Sequence, residues 1–63
     1  MRVRLRELRE AHFLSQAKLA EQAGMARLSI IRIERGRVTP RLWTIRRLAE
    51  TLRVATSDLV IEE

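Results

Sequence analysis

Five side chains within Arg27-Leu28-Ser29-Ile30-Ile31-Arg32-Ile33-Glu34-Arg35-Gly36 are suited to recognition chemistry. Three are arginines: Arg27, Arg32 and Arg35. A guanidinium is a rigid fork of N–H donors that fits the O6 and N7 acceptors of guanine, or a phosphate. The other two, Leu28 and Ile31, are aliphatic and suit a thymine methyl group. On a helix, Ile30 and Ile33 share one face, with Ala26 one turn earlier, and three-and-four spacing marks a face turned to a core. Leu28, Ile31, Arg32 and Arg35 fall opposite. A solvated face would mix charges of both signs; this one sets two large aliphatics among arginines.

The neighbouring residues supply what such a helix needs to be held. Ser15 reads as an N-cap, its hydroxyl accepting from free amides of the next turn. Residues 16–23 turn Leu19, Ala20 and Ala23 inward, and Gly24 ends this short helix as a residue able to take positive φ. A third helix spans about 26–35 and stops at Gly36. Ala20 lies where the two helices cross, and its small side chain permits close approach. Two short helices joined by a tight turn form the layout of a helix-turn-helix, whose second helix lies in the DNA major groove.

The flanks continue the helical pattern. Residues 2–12 place Leu5 and Leu8 on one face, with a break near His12-Phe13-Leu14. Thr39 suits an N-cap and Pro40 the first position of a fourth helix over about 41–52. That helix carries Leu42, Ile45, Leu48, Ala49 and Leu52 at three-and-four spacing. Ser57-Asp58 start a last short turn with Leu59 as its core residue. No β-strand pattern, internal repeat, low-complexity tract or linker is visible. The expectation is an all-α, compact bundle of five short helices, one domain over 1–63, with the helix-turn-helix at about 16–35.

Composition narrows the function. A chain of 63 residues allows one domain, which buries roughly 60% of its unfolded surface. The net charge is +5, and the thirteen basic residues are twelve arginines and Lys18. Excess positive charge favours a polyanion: DNA, RNA or an anionic membrane surface. There is no cysteine and one histidine, His12, so no metal or cofactor is expected, and His12 reads as a surface residue near a helix end. No apolar run approaches the ~20 residues that cross a bilayer. Met-Arg-Val-Arg-Leu-Arg does not resemble a signal peptide. A cytosolic, nucleoid-associated protein is expected. With no paired carboxylates and no glycine-rich phosphate loop, an enzyme is not.

The pattern resembles the Cro/repressor helix-turn-helix family, also called XRE-type, over nearly the whole chain. The matching pieces are Leu5-Arg6-Glu7-Leu8-Arg9-Glu10, Leu14-Ser15-Gln16, Leu19-Ala20-Glu21-Gln22-Ala23-Gly24, Ile30, Ile33-Glu34, Gly36, Pro40 and Leu48-Ala49. The resemblance implies a lambda-repressor-like fold. It sets Arg27, Leu28 and Arg32 where the family reads base edges, and Gln16 where it touches phosphate and supports the reading helix. Arg37 and Arg41 flank a loop that follows the DNA backbone. Arg9 and Glu34 fall at a structural ion pair between the first and third helices. Ile31 joins the base-reading set, and Ser29 and Arg35 the backbone set, from their places on the same helix.

The chain departs from the family in five places. Phe13 and Arg53 stand where glycine is usual, Ala26 where a Ser or Thr caps the third helix, and Leu28 and Ile31 where polar residues are common. Phosphate contact is the rival role for Arg27, plain exposure for Leu28, and a protein contact for Ile31. Trp43 covers the core edge or belongs to a partner surface. The expected function is sequence-specific binding of double-stranded DNA by a transcriptional regulator, a repressor. It would act as a homodimer on a near-palindromic operator, with Leu59, Val60 and Ile61 as candidate dimer surface. The alternative is a protein-interaction module, an antitoxin or adaptor, using Leu28, Ile31 and Trp43. Membrane-surface binding by the basic first helix is a weaker option.

Overall fold

A computed structural model describes residues 2–61. The order is β1 (Arg2–Val3), α1 (Leu5–Ala11), α2 (Gln16–Ala23), α3 (Arg27–Glu34), α4 (Leu42–Leu52), α5 (Thr56–Leu59) and β2 (Val60–Ile61). None of these helices is long and apolar enough to cross a membrane.

The five helices enclose a core of Leu5, Leu19, Ala20, Ala23, Ile30, Ile33, Ile45, Leu48, Ala49, Leu52 and Leu59. Burying each Leu or Ile stabilises the fold by about 1.5–3 kcal/mol relative to exposure. With no large aromatic in this core, small residues set the spacing. Ala20 and Ala23 are buried on α2 and let α3 lie close against it. Val3, Leu8, Leu14, Met25, Val54 and Val60 close the edges.

Four sequence expectations are corrected here. The first is that two short strands are present: β1 and β2 pair antiparallel, Arg2 opposite Ile61 and Val3 opposite Val60. The Arg4 N–H donates to the Leu59 carbonyl at 2.9 Å, so the two ends of the described chain are tied together. Two-residue strands are too short to show alternation.

The second concerns Leu59, expected from sequence both as the core residue of the last turn and as part of a dimer surface; the core reading holds and the surface reading does not. It is wholly buried, because the turn of α5 points it into the core. Only Val60 and Ile61, half-buried on β2, remain near the surface. The third is Leu42, which is exposed rather than in the core stripe; it opens α4, where the helix has not yet reached the bundle. The fourth is the start of α4. Its N-cap is Arg41, with no side-chain cap, so neither Thr39 nor Pro40 serves as expected.

Phe13 and Arg53 both take the left-handed conformation, each with φ of 57°. The two turns are thus built in the usual backbone geometry, with side chains that disfavour it.

Candidate nucleic-acid interface

Local rules set the two helices of the motif. The Ser15 hydroxyl accepts from the Lys18 N–H at 3.0 Å and caps α2. Gly24, at φ 67° and ψ 36°, ends α2 and donates to the Ala20 and Glu21 carbonyls, and the Met25 N–H reaches the Ala20 carbonyl at 2.9 Å. This left-handed stop reverses the chain in the few residues before α3. Ala26 then caps α3 with backbone alone. Gly36, at φ 70°, ends α3 in the same manner, the Arg37 N–H donating to the Arg32 carbonyl at 3.0 Å.

A buried polar network fixes α3 relative to α1 and α2. Arg9 Nε donates to Glu34 Oε2 at 2.6 Å and Arg9 Nη2 to Glu34 Oε1 at 3.1 Å. Arg9 Nη1 donates to the Leu14 carbonyl at 2.7 Å. Gln16 Nε2 donates to Glu34 Oε1 at 3.1 Å. Both ion-pair side chains are buried, and every buried side-chain polar atom among the described residues has a partner. The hydrogen bonds that Arg9 donates to Glu34 raise the Arg9 pKa above its ordinary value, against the opposing effect of burial. Arg9 therefore stays charged.

The outward face of α3 carries Arg27, Leu28 and Arg32, all exposed, with Ile31 half-buried beside them. Leu28 keeps 52% of its surface exposed. Two concavities flank this face. One, of about 300 Å³, is lined by Arg6, Arg9, Gln16, Glu34 and Arg35. The other, of about 350 Å³, runs along the α3–α4 loop, with Ser29, Arg32, Arg41 and Trp43 in its lining. At about 100° per residue, Glu34 and Ser29 project to opposite sides of α3, with Leu28 between them. Arg37 and Arg41 are exposed on the loop. The nine residues expected to touch DNA thus lie on or around one helix, whereas Val60 and Ile61 lie on the separate β2 strand.

Sequence reasoning missed Arg47. From α4 its Nη1 reaches the Ala23 carbonyl at 3.5 Å, placing a cation at the C-terminus of α2, where the helix dipole favours it. Its guanidinium also stands 5.3 Å from the centroid of the Trp43 ring. Trp43 is exposed, so it does not close the core edge. A backbone carbonyl partner leaves no side-chain signature; the i,i+4 spacing of Trp43 and Arg47 on α4 was the signal that could have found the ring contact.

Residues 1–60 match the helix-turn-helix domain family. The chain belongs to that family. The Cro/repressor type read from the residues is thereby borne out. The chain is 42% identical over 52 residues to an HTH-type transcriptional regulator of Methanothermobacter thermautotrophicus, covering 82% of this chain and 75% of the relative. It is 33% identical over 61 residues to another HTH-type transcriptional regulator, from Archaeoglobus fulgidus, covering 97% and 87%. Among solved structures it resembles the restriction-modification controller protein C.AhdI from Aeromonas hydrophila. The TM-score is 0.86 at 40% identity, over 90% of this chain and 86% of that one. These relatives are regulators of transcription or of restriction-modification, a non-enzymatic kind of protein.

Proposed function

We propose that the chain binds double-stranded DNA sequence-specifically and represses transcription as a homodimer on a near-palindromic operator. The observation that carries this reading is the placement of α3 between two arginine-lined concavities on opposite flanks. A helix in the major groove has a phosphate backbone on each side and base edges beneath it. Arg27, Leu28, Ile31 and Arg32 meet the bases. Arg35 and Gln16 face one backbone, and Ser29, Arg37 and Arg41 the other. Gln16 has a second N–H beyond the one given to Glu34. Val60 and Ile61 supply the contact between protomers, whose half-sites lie about 10 bp apart on one face of the duplex. The whole chain acts as one DNA-binding domain.

The alternative is a protein-interaction module, an antitoxin or adaptor. The exposed Phe13, Leu28, Val38, Leu42 and Trp43 favour it. Salt separates the two. Affinity for a labelled duplex, followed by fluorescence anisotropy from about 50 to 300 mM salt, should fall with a log–log slope of about −0.9 per phosphate contacted. Binding that is absent, or indifferent to salt, refutes the DNA reading and leaves the protein partner.

A further inference from the structure

The outward face of α3 lacks one kind of group altogether. Reading an adenine N6 or a cytosine N4 amino group in the major groove needs a side-chain acceptor, from Asn, Gln, Asp, Glu or a hydroxyl. The exposed residues of α3 are Arg27, Leu28 and Arg32, with Ile31 half-buried among them and Arg35 just beyond. None accepts a hydrogen bond. Glu34 is the one carboxylate of α3, and Arg9 and Gln16 occupy both its oxygens. Ser29 is turned to the flank shared with Thr39, Arg41 and Trp43. An amino group beneath this face would lose water and gain nothing, which costs binding free energy.

What the face does hold is the guanidiniums of Arg27 and Arg32 and two aliphatic side chains, of which Leu28 is the more exposed and Ile31 is half-buried. We infer that α3 recognises guanine through Arg27 and Arg32 and a pyrimidine C5-methyl group through Leu28, and reads adenine and cytosine only as their pairing partners. This rests on the DNA-binding reading above and specifies its ligand. Leu28 lies at the middle of the outward face, between the two flanking arginines, where a C5-methyl group projects into the groove. The contact is made to the methyl group, so thymine and 5-methylcytosine satisfy it alike and uracil does not.

The test uses the full chain and the duplex it prefers from a randomised library. Each thymine of that duplex is replaced singly by deoxyuridine and each guanine by 7-deazaguanine. One uracil per half-site should weaken binding about fourfold, the worth of one buried methyl group. In Leu28→Ala, which is exposed and should keep the helical circular dichroism of the parent, that same uracil should have no effect. Replacing the sensitive T·A pair by C·G should weaken binding, and 5-methylcytosine there should recover about the same factor. One or two 7-deazaguanines per half-site should also weaken it, and Leu28→Gln should shift the preference at the sensitive position towards adenine. A preferred duplex in which every uracil is tolerated overturns this inference and leaves DNA reading intact. Recovery of no preferred duplex overturns both.

Discussion

Arg9 and Glu34 form a two-point fork, with contacts of 2.6 and 3.1 Å, that joins α1 to the end of α3. The pair holds α3 by its C-terminal end, while Gly24 and Met25 hold its approach. Glu34 also takes a hydrogen bond from Gln16 at the start of α2, so one carboxylate fixes three helices.

Removing one member leaves the other charge buried. Arg9→Ala or Glu34→Ala should each cost about 3–5 kcal/mol in urea unfolding. The double variant Arg9→Met/Glu34→Leu should recover most of that loss. Single variants that cost less than about 1 kcal/mol would show that the pair does not hold the helices.

The turns at Phe13 and Arg53 should improve with glycine. A left-handed backbone costs a side-chain-bearing residue about 1–2 kcal/mol, partly offset by the greater unfolded-state freedom of glycine. Phe13 is 96% exposed, so its ring contributes no packing. Phe13→Gly and Arg53→Gly should each raise stability by about 0.5–1 kcal/mol, read as a higher melting temperature. A lower melting temperature would contradict this account of the turns.

Gly24 is the reverse case. A Cβ there would meet only Arg47 Nη1 at 3.7 Å, an ordinary contact, so the penalty of Gly24→Ala is backbone strain of about 1 kcal/mol. Arg47→Ala should cost about 0.5 kcal/mol. It should also alter the emission of Trp43, the sole tryptophan, because the cation leaves the indole face. An unchanged spectrum would show that the stacking is not formed in solution.

Base and backbone arginines should separate in binding. Arg32→Ala should lose about 1–3 kcal/mol of discrimination at one position in each half-site. Arg41→Ala should weaken binding to all duplexes alike and flatten the salt dependence by about one unit per site. Competition titrations with matched and mismatched duplexes distinguish the two. Equal loss on both for Arg32→Ala would make it a phosphate contact.

Periodicity exposed the helices because Leu19, Ile30, Ile33, Ile45 and Leu48 repeat at three-and-four spacing and are all buried. It misplaced Leu42 because the rule assumes a helix packed along its whole length, and α4 opens before it meets the core. The strand pair depended on the two ends meeting, a long-range event that a local pattern does not encode. The exposed face of α3 was legible from its arginines and aliphatics, since each type has its own chemistry. The Arg9–Glu34 pair was reached only through family resemblance, since no local rule links positions so far apart in the chain. The contact of Arg47 with Ala23 stayed hidden because its partner is a carbonyl oxygen far away in the chain, whereas its contact with Trp43 follows an i,i+4 spacing that could have been read.

The central claim is that α3 reads bases. Selection of duplexes from a randomised library with the purified chain, at moderate salt, tests it most directly. The account predicts a near-palindrome with guanine and thymine in each half-site and half-sites about 10 bp apart. Weak, salt-sensitive binding with no recovered motif would contradict it.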